Sequence, residues 1–386
     1  MRVLFTGQNG INKKGHLQTL EKLCAARGKR VDATFNIGDM MYEESHKAGT
    51  PLKQGKILDL PLTELAVLRR SAFNRIGRET SEMETVFVNS HAVFRWNNQL
   101  FRAFELSELD EFRPDLIITL IDDVEAVKLR LDQLKEAGEL PGSTPYSLKD
   151  LLVWREEEIL ASDILASFLG VHHYVLGVGM EPEVTSNPLE VAYSLIFEPW
   201  KRTAYISYPI SDAQGTPDVW SKVVRFRRLA RSYLTAFDPL MIDEKRLNSL
   251  MRRHRTEHPE EQELVCDVRG EDVRLRLDEI EGVIPDIDGQ IVARDYKLID
   301  QAQMIVAYIP LDVDGSPLIA GGVQSEMEHA AAATKDVMVV WEAAKDPTPF
   351  IGQRADRMFR SLEELEWYLK ETSQRTGQLE MLMGPD

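Results

Sequence analysis

One carboxylate in the second half of the chain lies where it can be presented to a ligand. Glu326 follows Gly321 and Gly322 and opens a helix of small residues. Glycines let the backbone approach a ligand closely, and the helix dipole stabilises a carboxylate in the first turn, where we expect Glu326 to lie. Glu326 is therefore a candidate catalytic residue, and the alternative is a carboxylate that only stabilises its helix.

A second chemical motif follows the first apolar run of the chain. In the phosphate-loop template Gly-x-x-x-x-Gly-Lys-Ser/Thr, Gly7 and Lys13 fit, while Asn12 and Lys14 replace the second glycine and the hydroxyl residue. Because that hydroxyl normally binds Mg²⁺, a lysine there removes one metal ligand and favours nucleotide binding over phosphoryl transfer. Mg²⁺ at this loop remains an open possibility, as does ATP or another nucleotide as ligand.

The first half of the chain must position this loop between a strand and a helix. We expect strands at 2–6, 86–89, 116–121 and 171–176, and a helix from about His16 to Arg27. Strands that alternate with helices predict an α/β fold with a parallel sheet. The proline-bearing stretch 182–199 predicts a boundary region that contains one short helix.

The second half of the chain restarts the same alternation. Strands are expected at 204–208, 304–309 and 337–341, and helices at 219–236, 326–334 and 361–372. The charged stretch 243–288 has no place in that pattern and is interpreted as an insertion, either a lid or an oligomer contact. We therefore expect domains at 1–182 and 203–386, joined by a linker at 183–202.

Composition limits the class of protein. At 386 residues the chain is too long for one ordinary core, and 43% hydrophobic with 28% charged residues is typical of a soluble globular protein. The net charge of −17 argues against a nucleic-acid surface but not against free nucleotides. The arginines of 222–231 are expected on the solvated face of an amphipathic helix.

Location and metal content follow from a few residue types. No apolar run reaches the ~20 residues that span a bilayer, so we expect a cytoplasmic protein without membrane contact. Cys24 and Cys266 are far apart and fit a reducing compartment. The His172-His173 pair has no third ligand nearby, and no structural metal is expected.

The first 180 residues resemble the archaeal-type adenylate kinases and related nucleoside monophosphate kinases. Besides the phosphate loop, the resemblance rests on 35–41, 88–95, the strand 115–121 and the helix around Arg155. It implies a nucleotide-binding site formed by residues of the loop and of the following strand ends: Gly7, Asn9, Gly10, Asn12, Lys13, Lys14, Gly38, Asp39, His91 and Arg95. The arginine-bearing lid of that family is reduced to 138–146, which contains no arginine.

The second half resembles the nucleoside 2-deoxyribosyltransferases and the deoxynucleotide N-glycosidases, which have a flavodoxin-like α/β fold. The resemblance rests on 204–211, 293–309 and 321–330. It implies Glu326 as the nucleophile and Asp295 as its catalytic partner. It also implies a substrate site formed by side chains and glycines of these segments: Tyr205, Tyr208, Ser211, Gly321, Gly322 and His329. Ala320 replaces a substrate-binding carboxylate of the transferases, which favours water as the acceptor.

Together these features predict an enzyme that hydrolyses the N-glycosidic bond of a nucleotide or deoxynucleotide, or transfers its sugar. The kinase-like domain would feed or regulate that reaction. Three alternatives remain open: a glycohydrolase of NAD or another dinucleotide, a non-catalytic nucleotide sensor, and an active nucleoside monophosphate kinase. Because the related families often complete their sites across subunits, a homo-oligomer is expected.

Overall fold

The chain folds into two compact units. The computed structural model describes residues 1–49, 52, 57, 60–96, 99–106, 109, 112–139, 146–179 and 189–383, with side chains to residue 373 except that of residue 96. One unit combines Met1–Met180 with Ile242–Gly289, and the other combines Glu181–Met241 with Gln290–Asp386. In the described part of the chain, no helix is both long enough and apolar enough to cross a bilayer.

The first unit is built on a five-stranded parallel sheet with the strand order β2-β3-β1-β6-β7. Its elements up to residue 179 are, in chain order, β1 (Arg2–Thr6), α1 (Lys13–Ala26), β2 (Ala33–Asn36), α2 (Ile37–Lys47), α3 (Leu62–Glu79), β3 (Val86–Asn89), β4 (Val93–Trp96), β5 (Gln99–Arg102), β6 (Leu116–Ile121), α4 (Val124–Glu136), α5 (Leu148–Leu169) and β7 (His172–Gly177). The central strands are buried along their length, as parallel strands covered on both faces must be.

The remaining elements continue from residue 189. They are α6 (Leu189–Phe197), β8 (Thr203–Ser207), α7 (Ile210–Gln214), α8 (Pro217–Tyr233), β9 (Thr235–Phe237), α9 (Lys245–Glu257), β10 (Glu263–Val268), β11 (Glu271–Arg276), α10 (Leu277–Asp300), β12 (Met304–Ile309), α11 (Gly321–Ala332), β13 (Asp336–Trp341), α12 (Pro349–Gly352), β14 (Arg357–Phe359) and α13 (Leu362–Met383). The fold is mixed α/β with parallel sheets, as the sequence predicts.

The second unit has its own five-stranded parallel sheet with the order β14-β13-β12-β8-β9. Numbered within the unit, this is the doubly wound order 2-1-3-4-5, in which ligands bind where the strand order reverses. That point lies beyond the carboxyl ends of the paired strands β8 and β12. The predicted substrate segments follow these two strands.

The segment 242–289 belongs with the first unit, although the sequence predicts it as an insertion of the second. Ion pairs explain this difference: buried Arg155 donates to both carboxylate oxygens of buried Glu244 over 2.6 and 3.0 Å, and the more exposed Arg246 lies 2.7 Å from buried Glu125. The hairpin β10–β11 turns alternate residues inward, among them Leu264 and Cys266. Several charges of the stretch predicted as an insertion are thus partners of charges in residues 1–180, such as Asp286 with Lys149 and Arg269 with Asp122.

One arginine of the predicted solvated face of 222–231 is in the core of the second unit. Arg227 is fully buried and its Nε lies 2.8 Å from Asp238, which Arg231 and the Tyr208 hydroxyl also bind, each over 2.6 Å. The two guanidinium groups keep the pKa of the buried Asp238 below its usual value. Helical spacing puts Arg227 on the same face as buried Val223 and Ala230, but its partner Asp238 lies beyond the helix in sequence, so the buried counter-charge is not apparent from the helix alone.

Candidate nucleotide site and candidate active site

The loop between β1 and α1 needs two of its glycines. Gly7 has φ +138°, and a Cβ there would lie 2.5 Å from the carbonyl oxygen of Leu120. Gly10 has φ +85°, and its Cβ would lie 2.9 Å from the Leu131 side chain. Asn12, in place of the template's second glycine, adopts the left-handed conformation with φ 59° and caps α1 by accepting from the Gly15 amide. Asparagine tolerates that conformation, so the loop closes without the glycine.

Lys13 begins α1, three residues before the predicted helix start, and its ammonium group is folded back onto the loop. It is 6% exposed, and Nζ donates to the Gly7 carbonyl and lies 3.2 Å from Nδ1 of His91. Burial lowers the Lys13 pKa to about 8, while the negative charge of Glu158 opposes that effect. Burial and then the Lys13 charge lower the pKa of His91 well below its usual value, which keeps the imidazole neutral.

Glu158 on α5 organises this site and was missed by sequence reasoning. It is 1% exposed and accepts 2.8 Å hydrogen bonds from the backbone amides of Gly7, Ala92 and Val93. Burial raises its pKa, whereas Lys13 and the three amides lower it. Its neighbour Glu157 has a different partner, Arg95, so the run of three glutamates in the sequence gives no signal for which one is buried.

A cavity of about 1270 Å³ opens beside the loop, large enough for a nucleotide. Seven of the ten predicted nucleotide-binding residues line it: Asn9, Gly10, Asn12, Lys13, Lys14, Gly38 and His91. Gly7 and Asp39 do not line it but contact residues that do, since the Gly7 carbonyl accepts from Lys13 and Asp39 pairs with Lys14. Arg69, Arg102 and Arg130 also line it and were not predicted.

Arg95 is the predicted phosphate contact that the structure places elsewhere. Its guanidinium group binds Glu157 through two hydrogen bonds of 2.6 and 2.5 Å, and its carbonyl accepts from the Tyr146 hydroxyl. It does not line the cavity. Most of the predicted lid, residues 140–145, lies outside the described part of the chain.

In the second unit, Glu326 lies beside the carboxyl end of β8. Its two oxygens accept from the hydroxyls of Tyr205, over 3.0 Å, and of Ser207. Burial raises the Glu326 pKa to about 8, Ser207 and Tyr205 oppose this, and the charge of Asp295 adds to it. Glu326 is the sixth residue of α11 and not in its first turn as expected, because the helix already begins at Gly321. Ser207 was not predicted as a site residue.

Asp295 lies on α10 and is electrostatically coupled to Glu326. Burial raises its pKa to about 6, against the opposing charge of Arg294. Its Oδ1 is buried and has no hydrogen-bond partner among the described residues. A buried carboxylate oxygen without a partner costs free energy, which a ligand donor would recover.

The other predicted substrate residues divide into two groups. Gly321 and Gly322 are exposed at the start of α11, with open space where a Cβ would be, and Ser211 is exposed on α7. Tyr208 is instead 3% exposed in the core and donates to Asp238. His329 points to α10, where it lies 2.8 Å from Asp300 and stacks on Tyr296 at 4.1 Å, so it does not orient Glu326.

Comparison with known proteins gives matches to nucleotide kinases. A family model described as an AAA domain matches residues 22–141. The adenylate kinase of Methanopyrus kandleri is 25% identical over 95 residues, which cover 25% of this chain and 50% of that protein. Those of Pyrococcus furiosus and Pyrococcus abyssi are 25% and 24% identical over 118 and 121 residues, each covering 31% of this chain and 58% of the relative.

The chain thus spans half to about three fifths of the length of the curated relatives that it matches. Among solved structures, a phosphoglycerate kinase from Coxiella burnetii aligns with 95% of this chain and 92% of its own at 10% identity, but the TM-score of 0.24 is too low to support any argument. The first unit is a P-loop domain similar to adenylate kinases. These matches carry no information on glycosidic chemistry.

Proposed function

We propose that the protein is a nucleotide-processing enzyme whose second unit hydrolyses the N-glycosidic bond of a nucleotide or deoxynucleotide, while its first unit binds a nucleotide that feeds or regulates the reaction. The observation that carries the proposal is Glu326, which is partly buried at the reversal point of its sheet and held on both oxygens by Tyr205 and Ser207. A carboxylate with a strongly raised pKa in such a place is characteristic of catalytic sites.

The chemistry needs one carboxylate and one acid. Glu326 attacks the anomeric carbon as the bond from that carbon to the base nitrogen breaks, and Asp295 gives its proton to the departing base. Water then attacks the anomeric carbon, Asp295 takes the proton from the water, and the Glu326 carboxylate leaves as a free anion. With pKa values of about 6 and about 8, the pair binds one proton near neutral pH, the number that this route requires.

The distribution of that proton sets a cost. In the ligand-free protein the proton resides on Glu326, whose pKa is higher than that of Asp295 by about two pH units. Moving it to Asp295 costs ~3 kcal/mol, which is small beside the barriers that enzymes lower. The proton for the leaving base is the one moved from Glu326 to Asp295, and a hydrogen bond that the substrate donates to Asp295 does not supply it. The leaving base must therefore lie next to the oxygen of Asp295 that binds this proton.

Release of free base tests the proposal. Wild type, Glu326→Gln and Glu328→Gln are incubated with nucleosides, ribo- and deoxynucleotides and NAD, each with and without ATP, and products are separated by chromatography. Glu328 is on the same helix, but its side chain is 65% exposed and paired with Arg354, so its variant should keep full activity. Cleavage that is lost in Glu326→Gln but kept in Glu328→Gln supports the proposal. The compound that is cleaved identifies the class of substrate.

Two results would argue against it. Absence of base release from every substrate would leave nucleotide binding as the function. Formation of ADP from ATP and AMP without release of base from any substrate, equal in wild type and Glu326→Gln, would favour the phosphoryl-transfer alternative, for which the similarity of the first unit to adenylate kinases is the supporting observation.

A further inference from the structure

The groups that hold Mg²⁺ in P-loop nucleotide enzymes are a hydroxyl after the loop lysine and a carboxylate at a neighbouring strand end. In this chain the hydroxyl position is Lys14, whose ammonium group lies 2.8 Å from Asp39. A cation at that position repels a metal ion and attracts phosphate oxygens. The hydroxyl that would bind the metal ion is therefore replaced by an ammonium group that repels it.

The strand on one side of β1 also lacks the carboxylate. In the register of the sheet, Phe5 of β1 faces Asn89, the last residue of β3. Asn89 is 8% exposed and lines the cavity, and its Oδ1 is buried without a hydrogen-bond partner in the described part of the chain. A neutral amide thus takes the place of the carboxylate and supplies no negative charge to a divalent cation, and its oxygen is available to a ligand donor.

On the other side of β1 the carboxylate is present but already paired. Asp122 directly follows β6, is 1% exposed, and accepts from Arg130 of α4 and from Arg269 of the β10–β11 turn. Arg130 also donates to the carbonyl of Gly10 in the phosphate loop. Metal binding at Asp122 would have to displace two guanidinium groups from a buried carboxylate and leave both without their counter-charge.

Three cations surround the loop in place of a metal. Lys13, Lys14 and Arg130 all line the cavity, and each can contact phosphate oxygens. The residues at this site do not fit Mg²⁺. Resting on the proposal that the first unit binds a nucleotide, we propose that it binds the metal-free form of a nucleoside phosphate, and that Mg²⁺ does not strengthen this binding.

Calorimetric titration of the full chain tests the inference. ATP, ADP and AMP are titrated in excess Mg²⁺ and in EDTA. We expect Kd in EDTA to equal that in Mg²⁺ within about threefold, or to be lower for ATP, since Mg²⁺ sequesters the anion that the lysines bind. The double variant Lys14→Ser with Asn89→Asp restores both ligands, and its ATP affinity should become at least about tenfold stronger in Mg²⁺ than in EDTA.

A matched control separates the loss of a cation from the gain of a metal ligand. Lys14→Gln removes the charge without adding a hydroxyl, so it should weaken binding equally with and without Mg²⁺. Wild-type binding that is strong in Mg²⁺ and lost in EDTA would overturn the inference but leave nucleotide binding intact. Absence of binding in both conditions would overturn nucleotide binding by the first unit and the inference with it. The wild-type titration decides the question even if a variant does not fold.

Discussion

Replacing Glu326 by glutamine should make the second unit more stable at alkaline pH. The folded-state pKa of about 8 lies about 3.5 pH units above the usual 4.5, which corresponds to ~5 kcal/mol. Between these values the unfolded chain is ionised and the folded chain still binds a proton. Stability from Glu326 is therefore fully present below pH 4.5 and lost as the pH rises through 8. Glutamine keeps the shape without the charge, and its amide group donates in place of one accepting oxygen.

Hydrogen exchange of peptides from β8 and α11 measures this effect in the second unit itself, because local opening reports local free energy. At pH 5 wild type and Glu326→Gln should be similar, and at pH 9 the variant should be more stable by ~2–5 kcal/mol, the upper value being the full electrostatic cost. Glu328→Gln, an exposed change on the same helix, should follow the wild type at both pH values. If the local free energies of opening of wild type and Glu326→Gln changed with pH in the same way, Glu326 would not have a raised pKa and its site would not disfavour the ionised carboxylate.

Three further outcomes are expected. If the pair acts with one shared proton, base release should be greatest between about pH 6 and 8 and fall on either side, because the doubly protonated pair lacks the nucleophile and the doubly ionised pair lacks the acid; a rate that keeps rising above pH 8 would show that Asp295 is not the acid. Lys13→Gln should weaken nucleotide binding by at least about tenfold in a titration, whereas Arg95→Gln, which leaves the cavity lining intact, should change it little. Asp238→Asn should destabilise the second unit by ~3–5 kcal/mol in thermal unfolding, because it leaves the buried Arg227 without its counter-charge. Because the pKa of Asp238 is lowered in the folded protein, the stability that this carboxylate contributes to the wild type is present above about pH 4 and lost as the pH falls below it.

The elements that the sequence predicts well are those whose signal is local. The buried strands β3, β6 and β12 appear as continuous apolar runs, and their predicted bounds match the structure. The phosphate loop is recognised because its glycines and Lys13 have a fixed spacing. Short edge strands such as β9 and β14 were missed, since three residues carry too little periodicity.

The features that the sequence does not reveal depend on partners far along the chain. Glu158 and Glu157 are adjacent, yet one binds three backbone amides and the other binds Arg95. Arg227 faces Asp238 rather than solvent. In each case the partner that holds the side chain comes from another element. A charged residue type alone predicts an exposed side chain, and the sequence does not show that the fold buries it beside an opposite charge.

Burial acts in the same way on the reactive groups of both units, although their charges are opposite. It lowers the pKa of Lys13 and raises that of Glu326, so each group is held where its charged form is disfavoured. A phosphate beside Lys13 would stabilise the cation. Under the proposed glycosidase function, an oxocarbenium-like carbon beside Glu326 would stabilise the carboxylate anion, so this site would bind the transition state more strongly than the substrate.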